Sequence, residues 1–172
     1  RAYEDALLEL KECFESQGFI GIAAGAFIGE HSYTDRVAGG RPDAQDLKTA
    51  RDFGMKVSEF IKGDVYSSGT YKLKVEGNHP YRSGMPAMPP SRPMTEDTCT
   101  GCGICSEFCP TGAIGLDTHR YVEGNKCIKC CSCVKRCPVH AKYFDDPMVA
   151  KTKEKLEASL SSIRNEPEVF IP

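Results

Sequence analysis

Two stretches, residues 99–114 (CTGCGICSEFCPTGAI) and 127–142 (CIKCCSCVKRCPVHAK), decide how this chain is read. Cys99, Cys102, Cys105 and Cys109 are spaced C-x2-C-x2-C-x3-C, with Pro110 next, and Cys127, Cys130, Cys133 and Cys137 repeat the spacing, with Pro138 next. The first three thiolates of each run, carried on a looped backbone, can converge on the irons of one cubane while the loop's N–H groups point at its sulfides. The fourth cysteine leads away into a helix, and the proline after it fixes φ and removes a donor where the chain turns. A disulfide framework of this density belongs to small secreted domains. A zinc site needs two separated cysteine pairs. Two four-cysteine runs that each end in Cys-Pro fit neither, and the expected cofactors are two [4Fe-4S] clusters.

Residues 95–144 resemble bacterial-type two-cluster ferredoxins. In that pattern the fourth cysteine of each run serves the other cluster. The resemblance therefore implies Cys99, Cys102, Cys105 and Cys137 for cluster I, and Cys127, Cys130, Cys133 and Cys109 for cluster II, in two halves related by a pseudo-twofold axis. Gly103 keeps the backbone close to the sulfides. Its counterpart, Cys131, is surplus to the spacing and is expected as a small packed residue rather than a ligand. Ile114 and Val139 are expected to match each other and to pack over the clusters.

Upstream, Tyr3, Leu7, Leu10 and Phe14 share one helical face, which predicts a helix from about Ala2 to Gln17, ended by Gly18, with Cys13 packed beside that face. The continuous apolar run Phe19–Ile28 predicts a strand buried on both faces of a parallel sheet. Residues 29–42 read as loop. His31, beside Glu30 and Tyr33, reads as part of that surface loop, and the four histidines show no ligand spacing. Asp43 then caps a helix with an inner stripe of Leu47, Ala50, Gly54, Val57 and Ile61, ended by Gly63. A lone parallel strand has no neighbours for its backbone groups. This helix–strand–helix unit thus reads as the end of an α/β domain, and its strand is expected to pair with strands preceding Arg1 or with a second copy in a homodimer. Residues 63–94 read as a Pro/Gly-rich connector, with short strands at Val65–Tyr66 and Tyr71–Val75 and an extended segment over 77–94. Pro147 opens a helix to about Ile163, followed by an extended tail, EPEVFIP.

The whole chain resembles flavodoxin–ferredoxin fusions of the EFR type, through AYEDALLEL, AAGAFIGEHSY, GRPDAQDL and GNHPYR. The resemblance implies that residues 1–62 are the C-terminal fragment of a flavodoxin-like domain and that the full-length protein binds FMN. The loop that would cradle the flavin phosphate precedes Arg1, so FMN is not expected in this chain. The fold class expected is α+β. It comprises the flavodoxin-like fragment (1–62), the connector (63–94), the two-[4Fe-4S] ferredoxin domain (95–144), and a C-terminal helix and tail (145–172).

The 172 residues carry a formal net charge of −2, with no basic tail to suggest nucleic acid. No apolar run is long enough to span a membrane, and the acidic N-terminal stretch lacks a signal-peptide core. Cluster thiolates call for a reducing compartment, so a cytoplasmic location is expected. The function expected is an electron carrier serving redox proteins, with no catalysis in this chain; the alternative is a flavin-dependent oxidoreductase in the full-length protein, its clusters relaying electrons to or from FMN. Charge along the sequence is uneven: residues 95–118 sum to −4 and residues 119–144 to +5. That asymmetry predicts the easier reduction for cluster II.

Overall fold

A computed structural model describes residues 3–82 and 90–172. The chain divides into two compact units, each discontinuous in sequence where the sequence reading expects contiguous blocks. The first comprises Arg1–Glu30, Gly40–Met85 and Ile163–Pro172; the second comprises His31–Gly39 and Pro86–Ser162.

In the first unit, α1 (Ala6–Ser16) is shorter than expected at its start. The Asp5 carboxylate does not cap it. Instead it accepts from the backbone N–H groups of Asn78 and Arg82, at 2.8 and 2.9 Å, and ties the helix start to the 78–82 segment. That segment comes close because residue 77 is glycine: a Cβ there would stand 2.7 Å from Leu8 Cδ2. Gly18, at φ 87°, follows the helix as the sequence predicts. Cys13 is exposed, not packed, since it lies off the face that carries Leu8.

The apolar run Phe19–Ile28 forms a strand only at β1 (Ala24–Ala26). It is not buried on both faces, and Phe19 and Ile20 are 63% and 75% exposed. Nor is the pairing parallel. β1 pairs antiparallel with β4 (Glu168–Phe170), with Ala24 opposite Phe170 and Ala26 opposite Glu168. The chain's own tail thus supplies the neighbour for one edge, a partner that the sequence reading did not consider.

The capping box at α2 (Ala44–Lys62) forms as Asp43 predicts: its carboxylate accepts from the N–H groups of Gln45 and Asp46, and Asp46 accepts from the N–H of Asp43. Asp46 is buried against Arg41, whose Nε donates to it at 2.7 Å. The Arg41 guanidinium holds the Asp46 carboxyl well below the usual range. The stripe on α2 does not face a core, as Leu47 and Ile61 are half exposed. Residues 64–68 form α3 (Asp64–Ser68), ended by Gly69 at φ 67°, where a strand was expected at Val65–Tyr66. Residues 71–75 carry no strand either. Tyr71 packs edge-on against Phe60, with ring centroids 5.0 Å apart. Of the expected extended segment 77–94, residues 83–89 lie outside the described residues, as do residues 1–2.

In the second unit, β2 (Met94–Thr95) pairs antiparallel with β3 (Lys142–Tyr143). Between them come two single-turn helices, α4 (Ile104–Glu107) and α5 (Ser132–Lys135), and a bridge between Ile114 and Val122. The core is small: Cys105, Ala113, Ile114 and Val122, with three further cysteines against it. Helix α6 (Pro147–Leu160) opens at Pro147, with Asp146 accepting from the Met148 N–H at 2.8 Å. The 31–39 loop joins this unit through Thr34, whose hydroxyl donates to Glu157 of α6, and through His31, whose carbonyl accepts from Lys135 Nζ at 2.8 Å.

Candidate iron–sulfur centres

The two cysteine runs fold alike. Each residue of the first has its counterpart twenty-eight positions on, and the backbone repeats with it. Gly101, Gly103 and Gly112 have φ of 70°, 80° and 60°; Lys129, Cys131 and His140 have 57°, 60° and 52°. Gly103 and Cys131 are the left-handed N-caps of α4 and α5. Residues on a twofold axis touch their own counterparts, and Phe108 does so: the Arg136 guanidinium lies 4.2 Å from its ring centroid.

The eight cysteines divide between two cavities. Cys99, Cys102, Cys105 and Cys137 line one, with His119, Val139 and Lys142. Cys109, Cys127, Cys130 and Cys133 line the other, with Cys131 and a more apolar wall that includes Pro93, Ile114, Val122 and Phe144. Each cavity thus gathers three cysteines of one run and the fourth of the other. Counting their open mouths, the cavities hold about 310 and 340 Å³ of empty space. Among the described residues no three side chains converge to hold a single metal ion. A cubane takes one thiolate at each iron corner, so its ligands surround a volume instead of meeting at a point. This donor set fits such a group.

The crossing cysteines are prepared by the backbone. Cys109 Sγ accepts from the Ala113 N–H and Cys137 Sγ from the Ala141 N–H, both at 3.2 Å. Burial would raise both thiols, but the N–H groups of residues 111, 113 and 114, and of 139, 141 and 142, outweigh it and hold both below the ordinary value. Burial dominates at Cys133, pushed up to about 11, and also raises Cys105. Cys131 is 5% exposed and is pushed up to about 12 by the same cause, as suits the packed residue expected there.

Two residues stand apart from the sequence reading. Val139 matches Thr111, not Ile114; it is 40% exposed, whereas Ile114 is 4% exposed. The true counterpart of Ile114 is Lys142, 2% exposed, whose Nζ donates to Thr95 Oγ1 at 2.7 Å and to the Arg120 carbonyl at 2.9 Å. His119, read with the other histidines as showing no ligand spacing, lines the first cavity. Ser106 Oγ lies 2.8 Å from the Gly103 carbonyl and 2.8 Å from His119 Nδ1, tying the histidine ring to the start of α4.

A family model described as the 4Fe-4S binding domain matches residues 94–115, which hold the whole first cysteine run. A ferredoxin of Alicyclobacillus acidocaldarius is 36% identical over 63 residues, 36% of this chain and 80% of that protein. An uncharacterized ferredoxin of Methanocaldococcus jannaschii is 44% identical over 48 residues, 26% of either chain. A Geobacillus stearothermophilus protein described only by its position in the gldA 3′ region is 30% identical over 96 residues, 39% of this chain and 44% of that protein. The chain thus spans less than half the length of the last two relatives. No solved structure matches it significantly.

Proposed function

The chain belongs to the ferredoxin family, and from that premise we propose that it carries electrons through two [4Fe-4S] clusters, held by Cys99, Cys102, Cys105 and Cys137 and by Cys127, Cys130, Cys133 and Cys109. One observation carries this reading: the eight cysteines divide between two cavities as crossed sets. When bound, each cluster takes up and releases one electron. The chain's part is to bind, orient and shield. The N–H groups of Ala113 and Ala141 stabilise the crossing thiolates, and Ile114, Val122 and Phe144 keep water from the second cavity. The partners in this reading are other redox proteins, met in a reducing, cytoplasmic compartment. Among the described residues no helix is long and apolar enough to cross a membrane. Anaerobic analysis of the purified chain is expected to give about eight iron and eight sulfide per chain. Zinc, or half that iron, would overturn the reading.

A second reading has its own support in the first unit. A groove with about 850 Å³ of empty space, its open mouth counted, is lined by Leu10, Phe14, Phe19, Ile20 and Leu73 beside β1, and Leu47 and Met55 of α2 are also exposed. Such an uncovered apolar surface suits a fragment of a flavodoxin-like domain whose remaining strands, or a second copy, would cover it. The full-length protein would then be a flavin-dependent oxidoreductase with its clusters wired to FMN. Flavin released by denaturing the complete gene product tests this; a colourless supernatant would count against it.

A further inference from the structure

Lys142 is the residue whose burial the electron-carrier reading leaves unexplained. Lys142 is 2% exposed, and among the described residues no carboxylate pairs with it. Two of its three protons go to Thr95 Oγ1 and the Arg120 carbonyl, and among the described residues the third meets no protein acceptor. Burying a charge without an opposite charge is strongly unfavourable. An anion is therefore called for beside it, and Lys142 lines the cavity of Cys99, Cys102, Cys105 and Cys137. The counterpart position at the other cavity is Ile114, equally buried and apolar.

The placement follows from the crossing. Lys142 lies five residues after Cys137 in the second run, but Cys137 serves the first cavity, and the lysine goes with it. The other cations of residues 119–144 that outweigh acidic residues in the sequence count are mostly solvated; Lys126, Lys135 and Arg136 are exposed and screened by salt. A charge inside the protein is screened far less.

We propose that Lys142 is the countercharge of cluster I and sets its reduction potential, making cluster I the easier of the two to reduce. This rests on the two-cluster reading above and reverses the order that the sequence charges predict. Reduction adds one electron from an external donor, with no bond made or broken. A fixed cation beside the cavity favours the more negative, reduced state.

The test is an anaerobic dithionite titration followed by electron paramagnetic resonance on the intact chain. Wild-type protein must first show two centres; a single centre would defeat the two-cluster reading itself. The centre lost in C99S identifies cluster I. K142I, which copies the other half, is expected to lower the reduction equilibrium constant of cluster I about tenfold, or about 59 mV for one electron, and that of cluster II by less. K142R is expected to preserve it, as is T95V, which removes an acceptor but no charge. No shift, an equal shift at both clusters, or a T95V shift as large as that of K142I would overturn the proposal. If K142I fails to assemble, K142Q carries the same expectation. If both neutral variants lose cluster I while K142R keeps it, the charge is what holds the anionic cluster, in support. Loss in K142R as well would make Lys142 a matter of shape and overturn it.

Discussion

The two halves of the cysteine-bearing unit share a backbone and differ in what stands on it. Where the first half has Gly101, Gly103 and Gly112, the second has Lys129, Cys131 and His140, all six in the left-handed region. For a residue with a Cβ that conformation costs about 1–2 kcal/mol. The second half keeps it regardless, so the demand comes from the site and not from the freedom of glycine. Loops that wrap a cavity with their N–H groups turned inward need the left-handed step, and packing around the cysteines holds it where the residue itself would not. At Ile114 and Lys142 the halves share burial and differ in charge, which adds a difference in electrostatics to the difference in apolar lining.

Breaking the crossing should have the largest effect. C137S, although it lies in the second run, is expected to empty the cavity of Cys99, halving the iron from about eight to about four per chain. Loss of the other centre, seen by combining it with C99S, would show that each run serves its own cluster. Next comes G103A, which adds the left-handed cost to a Cβ 3.4 Å from His119 Nε2. It is expected to destabilise the holoprotein by about 1–2 kcal/mol, read as a lower anaerobic unfolding midpoint. An exchange at the third position sharpens the comparison: H140G should stabilise by up to about 1 kcal/mol and G112A should destabilise by a similar amount. Gly112 has open space where a Cβ would go, so conformation alone is tested there. Equal midpoints for the wild type and both variants would mean that the left-handed step costs nothing at this position. Smallest of all, C131S should leave iron content unchanged, while C130S or C133S removes the second cluster. An equal loss in C131S would make it a ligand.

What the sequence revealed was local or periodic. The repeated spacing located both cavities, Asp43 located the start of α2, and Pro147 the start of α6. What it hid depended on what covers what. Phe19–Ile28 is apolar throughout, and composition cannot tell a strand covered on both faces from one left open. Val65 and Tyr66 favour strand locally, but Asp64 in the first turn and Gly69 at the left-handed end give a short helix. The tail EPEVFIP has no pattern of its own that names β1 as its neighbour. Lys142 was hidden most deeply. Summing charges along the chain assigns it to the half in which it is written, whereas the crossed cysteine carries it to the other cavity.

The path of the chain has a bearing on inheritance. It leaves the first unit after Glu30, returns at Gly40, leaves again after Met85 and comes home at Ile163. A gene segment for residues 95–144 would carry all eight motif cysteines but leave behind the 31–39 loop and Glu157 of α6. Ending the gene at residue 162 would appear to trim a tail, yet it would strip β1 of its paired strand. Neither unit therefore corresponds to one continuous stretch of the gene.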